Sequence, residues 1–185
     1  MKEKDTVAFN ALQRLKEGNE IYLNTAVGVG DVSPSRRLDT AQNGQHPFAV
    51  VVSCADSRVI PEAIFSCGIG DLFVIRVAGN VVGNVELGSI EYAVEHLGCR
   101  LVVVLGHTGC GAVDAALRPN DGFVRHITEE IKCGIGSECD AIRASVMNAL
   151  HSAEKIKSAF SLASLHVCAA LYHTESGKVD FDLND

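Results

Sequence analysis

Residues 48–58 read Phe-Ala-Val-Val-Val-Ser-Cys-Ala-Asp-Ser-Arg, an apolar run that ends abruptly in polar and charged side chains. Residues 100–110 have the same layout and read Arg-Leu-Val-Val-Val-Leu-Gly-His-Thr-Gly-Cys. Continuous runs of β-branched residues are typical of strands that are covered on both faces. Each stretch therefore predicts a buried strand that is followed at once by a short polar segment.

The rest of the chain alternates between the two kinds of pattern. Apolar residues at helical or strand spacing predict helices over 86–97, 111–117, 123–133 and 138–160, and strands over 72–76, 165–172 and 179–183. Strands that alternate with helices imply a mostly parallel central β-sheet flanked by helices. The last two strands surround a turn at 175–178, which predicts an antiparallel C-terminal edge hairpin. The expected fold class is therefore α/β.

An N-terminal helical arm, residues 1–30, is expected to precede the α/β core at 46–185. Residues 6–24 have helical spacing, with these apolar side chains near one face: Val7, Ala8, Ala11, Leu12, Leu15, Tyr22 and Leu23. A loop-like stretch at 28–34 separates this helix from the core, and the sequence leaves open whether the helix packs on a partner subunit or on its own domain. No repeat or linker divides the chain, so residues 1–185 are predicted to form a single domain.

The composition limits the classes of function. The 185 residues are 47% hydrophobic and 21% charged, which is a globular mixture. A net charge of -7 without a block of Lys and Arg argues against nucleic-acid and membrane partners. The apolar runs are too short to span a bilayer, and the N-terminus lacks the apolar region of a secretory signal. We therefore expect a soluble cytoplasmic protein, in which the seven cysteines are buried hydrophobes, metal ligands or catalytic thiols.

Three metal-binding residue types follow the two buried strands. Cys54 comes directly after the first strand, and His107 and Cys110 follow the second. In open α/β sheets, ligands bind beyond the carboxyl ends of the strands. If the two strands are neighbours, the three side chains meet at one point. Two thiolates and one imidazole suit Zn²⁺, and three protein ligands leave the fourth tetrahedral position open, as catalytic zinc sites do.

Asp56 and Arg58 form the second element of the predicted site. A carboxylate two residues from Cys54 would coordinate the metal unless another group held it, and Arg58 can hold it in a planar, bidentate ion pair. Asp56 would then be free to accept a proton from metal-bound water. For either motif alone, a buried cysteine, a core histidine and a surface ion pair would be the better explanation. Their occurrence together, each at the end of a strand, favours the metal site.

These segments resemble a known family. Ser-Cys-Ala-Asp-Ser-Arg at 53–58 and Gly-His-Thr-Gly-Cys-Gly at 106–111 are similar to the two signature segments of the β-class carbonic anhydrases. Residues 76–80 and 89–93 resemble the segments between them, and the resemblance extends over nearly all of 7–183. It implies the reversible hydration of carbon dioxide to bicarbonate and a proton, by attack of zinc-bound hydroxide on CO₂. The implied enzyme is a carbonate dehydratase, a lyase.

The resemblance also implies the roles of the site residues. One Zn²⁺ per subunit would be held by Cys54, His107 and Cys110, with Asp56 and Arg58 as the catalytic pair. The implied assembly is a homodimer, or a higher even oligomer, with the active site at the subunit interface and the N-terminal helix embracing the neighbour.

The implied substrate pocket draws on both subunits. Its residues would be Gln45, Phe73, Ala78, Tyr92 and Gly111. Gln45 would donate a hydrogen bond to the substrate, Phe73 and Tyr92 would form an aromatic wall, and the Gly111 N–H would face the substrate. An allosteric subgroup of the family has a Trp three residues before the first zinc cysteine. Val51 occupies that position here and the chain has no Trp, which implies the plant-like, non-allosteric type.

Three other functions are compatible with parts of the sequence. The same scaffold can hydrate related molecules such as carbonyl sulfide or carbon disulfide. A non-catalytic zinc protein would not need the Asp56–Arg58 pair. A redox protein that used Cys110 would be expected to have a resolving partner in a C-x-x-C motif, and none occurs.

Overall fold

A computed structural model describes residues 3–25, 30–181 and 183. Five strands form one sheet in the order β2-β1-β3-β4-β5, with the bounds Ala49–Ser53 (β1), Leu72–Arg76 (β2), Leu101–His107 (β3), His166–Tyr172 (β4) and Val179–Asp180 (β5). The first four strands pair in parallel and β5 pairs antiparallel to β4. This confirms the mostly parallel sheet and its antiparallel edge.

Helices flank the sheet. The described residues include the helices Glu3–Asn24 (α1), Pro34–Asn43 (α2), Pro61–Ile64 (α3), Asn84–Glu95 (α4), Gly111–Ala116 (α5), Val124–Ile135 (α6) and Ala141–Ala159 (α7). Among them, no helix has both the length and the apolarity that a membrane crossing requires. The α/β class and the N-terminal helix are confirmed, while part of the predicted 28–34 loop lies outside the described residues.

The sequence patterns did not predict α2. This helix begins at Pro34, and the Ser33 side chain caps it by accepting a hydrogen bond from the Arg36 amide at 3.2 Å. None of its residues is buried. Leu38 is the only large apolar side chain in the helix and is itself exposed, so there was no repeat of apolar residues that could reveal it.

The two faces of the sheet carry separate hydrophobic clusters. Val51 of β1 lies in a cluster with Leu15 of α1 and Phe65, which follows α3. Val50 and Val52, which point the other way, lie in a cluster with residues of α4 and α7. β1 and β3 are buried along their whole length because both faces of the sheet are covered. This explains the continuous apolar runs that predicted the two strands.

Helix α1 packs on its own domain through one face. Leu15 is fully buried, and Asn19 donates to the carbonyl oxygens of Ile64 at 3.2 Å and Gly177 at 2.9 Å. The Val179 amide donates to Asn19 Oδ1 at 2.9 Å, which ties the helix to β5. Val7, Phe9, Ile21 and Leu23 of α1 are exposed. Of the apolar residues that the sequence pattern placed near one face, Val7 and Leu23 are therefore not buried.

The buried thiol of Cys99 leads to a prediction about alkaline stability. Burial raises the pKa of Cys99 from 9.0 to about 11. Between these pH values the unfolded chain loses the thiol proton while the folded chain keeps it, so the free energy of unfolding should fall as pH rises. Below pH 9 both states hold the proton and the stabilisation is complete. The expected loss at pH 11 is about 2–3 kcal/mol.

Chemical denaturation at pH 9 and pH 11 measures this loss. Cys99→Ala should lose less stability over that interval than the unmodified protein. Cys133→Ala, at an exposed cysteine, should lose the same amount as the unmodified protein. Equal losses in the Cys99 and Cys133 variants would show that burial of the Cys99 thiol is not the cause.

Candidate metal centre and active site

The site lies where two connections leave the sheet in opposite directions. β1 and β3 are neighbours, with Ser53 in register with Leu105. The chain after β1 runs to α3, on the face of the sheet that α1 covers, whereas the chain after β3 runs through α5 and α6 to α7 on the other face. Such divergence opens a crevice beyond the carboxyl ends of the strands.

The crevice brings together the three predicted metal ligands. Cys54 follows β1, His107 is the last residue of β3, and Cys110 immediately precedes α5. The sulfur atoms of Cys54 and Cys110 are 4.0 Å apart, and the ligand atoms of all three residues lie within 4.8 Å of one another. All three side chains are buried.

The donor set fits a tetrahedral zinc ion. His107 Nδ1 lies 3.0 Å from the carbonyl oxygen of Thr108, which only accepts hydrogen bonds, so Nδ1 carries the proton. The buried Nε2 atom of His107 has no hydrogen-bond partner among the described residues and is left with a free lone pair. Tetrahedral zinc with Zn–S bonds of about 2.3 Å separates two sulfurs by about 3.8 Å. The observed 4.0 Å is close to that spacing.

The two sulfurs are in hydrogen-bond contact at 4.0 Å, and this contact lowers the pKa of Cys54 and raises that of Cys110. The amide N–H groups of Gly79, at 3.2 Å, and Asp56, at 3.4 Å, also donate to the Cys54 sulfur and so favour its thiolate form. A bound cation would favour the thiolate form of both residues.

Asp56 and Arg58 form a two-point ion pair beside the cluster. Arg58 Nε donates to Asp56 Oδ1 at 3.0 Å and Arg58 Nη2 donates to Oδ2 at 2.8 Å. These hydrogen bonds hold the pKa of the Asp56 carboxyl well below its usual range. Arg58 Nη2 also donates to the Gly109 carbonyl at 2.9 Å, so this guanidinium joins the loop after β1 to the loop after β3.

Arg76 holds the backbone of the loop that carries Cys54 and Asp56. Its Nε donates to the carbonyl of Cys54 at 3.1 Å and its Nη2 to the carbonyl of Asp56 at 2.6 Å. Arg76 ends β2, in register with Ser53 of β1. A charged side chain at the end of a neighbouring strand thus sets the path of the loop.

The five predicted substrate residues divide into two groups. Ala78 and Gly111 lie near the cluster, next to Gly79 and Cys110 respectively. Gln45 is exposed and precedes β1, so it lies beyond the end of that strand opposite to Cys54. Phe73 and Tyr92 have ring centroids 6.2 Å apart, but Phe73 is in register with Val50, three residues before the carboxyl end of β1. A single chain therefore does not bring Gln45, Phe73 and Tyr92 onto its own cluster.

Several residues that the ligand pattern did not indicate also support the site. Thr174 donates its amide N–H to Thr108 Oγ1 at 3.0 Å, and so braces the residue whose carbonyl holds His107. Gly79 supplies an amide to Cys54, and Asn148 of α7 holds the carbonyl of Gly79. The sequence did indicate Gly79, because it lies in the Arg-Val-Ala-Gly-Asn segment at 76–80 that resembles the family. No sequence pattern indicated Asn148, which is one amide among small and apolar residues on the buried face of α7.

Comparisons with known proteins agree with this geometry. A family model described as carbonic anhydrase matches residues 49–138, which include the cluster and the ion pair. Carbonic anhydrase 2 of Mycobacterium tuberculosis is 48% identical over 127 residues, which are 65% of this chain and 61% of that protein. The chain thus spans less than two thirds of this relative. The carbonic anhydrase of Mycolicibacterium smegmatis is 36% identical over 92% of this chain and 91% of its own length.

A solved structure identifies the class. The β-carbonic anhydrase CafA of Aspergillus fumigatus matches with a TM-score of 0.67 and 27% identity, covering 82% of this chain and 83% of its own. With a nearly full-length match to the Mycolicibacterium smegmatis protein and the buried Cys-His-Cys cluster at the expected sheet edge, the chain belongs to the β-class carbonic anhydrases.

Proposed function

We propose that the protein is a zinc-dependent carbonate dehydratase, a lyase that interconverts carbon dioxide with bicarbonate and a proton. The observation that carries the proposal is the buried cluster of Cys54, His107 and Cys110 beside the Asp56–Arg58 pair, in a chain of this family. Zn²⁺ bound by these three donors would lower the pKa of a water molecule, which supplies the nucleophile that hydration requires.

Asp56 orients the nucleophile in this proposal. Both of its oxygens are hydrogen-bonded to Arg58, so the carboxylate stays at a fixed distance from the cluster. Because its pKa is held well below the usual range, Asp56 is a poor store for a proton at neutral pH. Its role is therefore to accept a hydrogen bond and so to direct an oxygen lone pair toward CO₂. Arg58 keeps the carboxylate ionised and aligned.

The substrate pocket is completed by a second subunit. Gln45 lies at the far end of β1 from Cys54 in its own chain, and Tyr92 is 49% exposed beside Phe73. A homodimer, or a higher even oligomer, would bring these groups over the neighbour's cluster and would cover exposed apolar side chains of α1. Sedimentation as a monomer at the assay concentration would contradict this arrangement.

One preparation tests the proposed function. Metal analysis should find one zinc per chain, and stopped-flow measurement should show CO₂ hydration that disappears when a chelator removes the metal. Carbon disulfide, offered in the same assay, distinguishes CO₂ hydration from hydration of a related molecule. A zinc-loaded preparation without CO₂ hydration would reject the proposal. The cytoplasmic location rests on the sequence alone, and cell fractionation would test it.

Arg58→Ala should keep its zinc and lose turnover. The substitution removes both hydrogen bonds that hold the Asp56 carboxylate, while Cys54, His107 and Cys110 remain in place. Side chains that act on a proton in the transition state contribute about 10²–10⁴-fold to rate, and since Arg58 aligns the carboxylate that accepts the nucleophile's hydrogen bond, we expect a loss of up to that order in kcat. Arg118→Ala is the matched control, because Arg118 forms an exposed ion pair with Asp114 at 2.9 Å. Full activity in Arg58→Ala would reject the role of the ion pair.

A further inference from the structure

A buried hydrogen-bond path runs from helix α7 to the sulfur of Cys54. Asn148 is 1% exposed, and its Nδ2 donates to the carbonyl oxygen of Gly79 at 2.7 Å. The Gly79 amide in turn donates to Cys54 Sγ at 3.2 Å. The side chain of a distant helix is thus connected to a candidate metal ligand through one residue.

Gly79 occupies a turn that only glycine fits. Its φ is +70°, a conformation that other residues adopt at a cost. A Cβ there would lie 2.8 Å from Ile131 Cδ1 and 3.1 Å from Ala112 Cβ. The peptide group between Gly79 and Asn80 is held from two sides, because its N–H donates to the Val77 carbonyl at 2.9 Å and its carbonyl accepts from Asn148. The hydrogen bond from Asn148 is thus a constraint from outside the turn that presents the Gly79 amide to Cys54.

The buried side chain of Asn148 lowers the stability of the fold through one of its two polar atoms. Its Oδ1 is buried and has no hydrogen-bond partner among the described residues. A buried polar atom without a partner destabilises the fold, and the buried face of α7 otherwise consists of Ala144, Ser145, Ala149, Ser152, Ala153 and Ile156. An apolar side chain would avoid this cost. The contact that the amide group does make, with Gly79, is the one that leads to the metal site.

We propose that Asn148 is a positioning residue of the metal centre, which holds the 78–80 turn so that the Gly79 amide donates to the Cys54 thiolate. This inference rests on the proposed zinc site. An N–H···S hydrogen bond stabilises the negative charge of the sulfur and fixes the direction of its lone pairs. Residues behind the ligands of metal sites typically contribute about 10–100-fold to metal affinity or activity.

The test measures metal binding and a spectrum rather than turnover. Asn148→Leu and Asn148→Ala both remove the donor, and the alanine variant adds no volume. Each should bind zinc about 10–100-fold more weakly in competition with a chromophoric chelator. With Co²⁺ in place of zinc, the sulfur-to-metal charge-transfer band should move to longer wavelength, because an unbonded thiolate gives up its electrons more easily. Ser145→Ala is the control, since Ser145 is buried on the same helix and donates within it to Ala141.

The outcomes separate this inference from the proposed function. If the unmodified protein and Ser145→Ala bind no zinc, the proposed function fails. If they bind zinc, and a folded Asn148 variant has the same affinity and the same cobalt spectrum, the positioning role is overturned. Failure of both Asn148 variants to fold in the presence of zinc, while Ser145→Ala folds, would also overturn it in favour of a purely structural role.

Discussion

Cys110→Ser is expected to lose its zinc and its CO₂ hydration together. A serine hydroxyl does not deprotonate near neutral pH, so it replaces a soft anionic ligand by a hard neutral one. Cys54, His107 and Cys110 form the cluster, so removal of the Cys110 sulfur leaves one thiolate and one imidazole as metal ligands. Two donors do not hold the ion against dilution, and without it the site has no means of generating the nucleophile.

Elemental analysis after gel filtration, followed by a stopped-flow hydration assay, checks this expectation. Cys133→Ser provides the matched control, because Cys133 is exposed and lies outside the cluster. It should retain one zinc per chain and normal activity. Far-ultraviolet circular dichroism should show that both variants keep their helices. A Cys110→Ser protein with a full complement of zinc would mean that Cys110 is not a ligand.

The second large effect is on stability. Gly18→Ala is expected to destabilise the protein by about 1–3 kcal/mol, the usual cost of overpacking. A Cβ at Gly18 would lie 2.0 Å from the carbonyl oxygen of Phe65, which is backbone and has no side-chain freedom. Helix α1 would have to move away. Asn19, the residue after Gly18, donates to the Ile64 and Gly177 carbonyls, so a movement of the helix would also break these hydrogen bonds.

The same substitution should have the opposite effect on stability at an exposed glycine. In an exposed helix interior, replacing glycine by alanine stabilises by about 0.5–1 kcal/mol. Gly88 of α4 is such a position, because a Cβ there would meet nothing within 4 Å. Urea denaturation of Gly18→Ala and Gly88→Ala should therefore show shifts in opposite directions. Equal stabilisation in both variants would disprove the close packing of α1 against the chain after α3.

Much of the metal centre follows from local patterns. Val50 to Val52 and Val102 to Val104 predicted two buried strands, and the structure makes them parallel neighbours. Parallel strands end at the same edge, so residues directly after them meet. That rule brought Cys54 and His107 together without knowledge of side-chain packing. The Asp56–Arg58 pair could also be predicted, because an ion pair two residues apart needs only a local turn.

Other features depended on contacts between segments far apart in the chain. Helix α2 has no buried face and so left no apolar pattern. The path from Asn148 through Gly79 to Cys54 depends on where α7 crosses the 78–80 turn. Gln45 and Cys54 are nine positions apart, yet an extended strand separates them to opposite edges of the sheet. The metal ligands and the ion pair could be predicted because each motif lies within a few neighbouring residues. The contacts that support them arise only when the packed helices bring distant groups within hydrogen-bond distance.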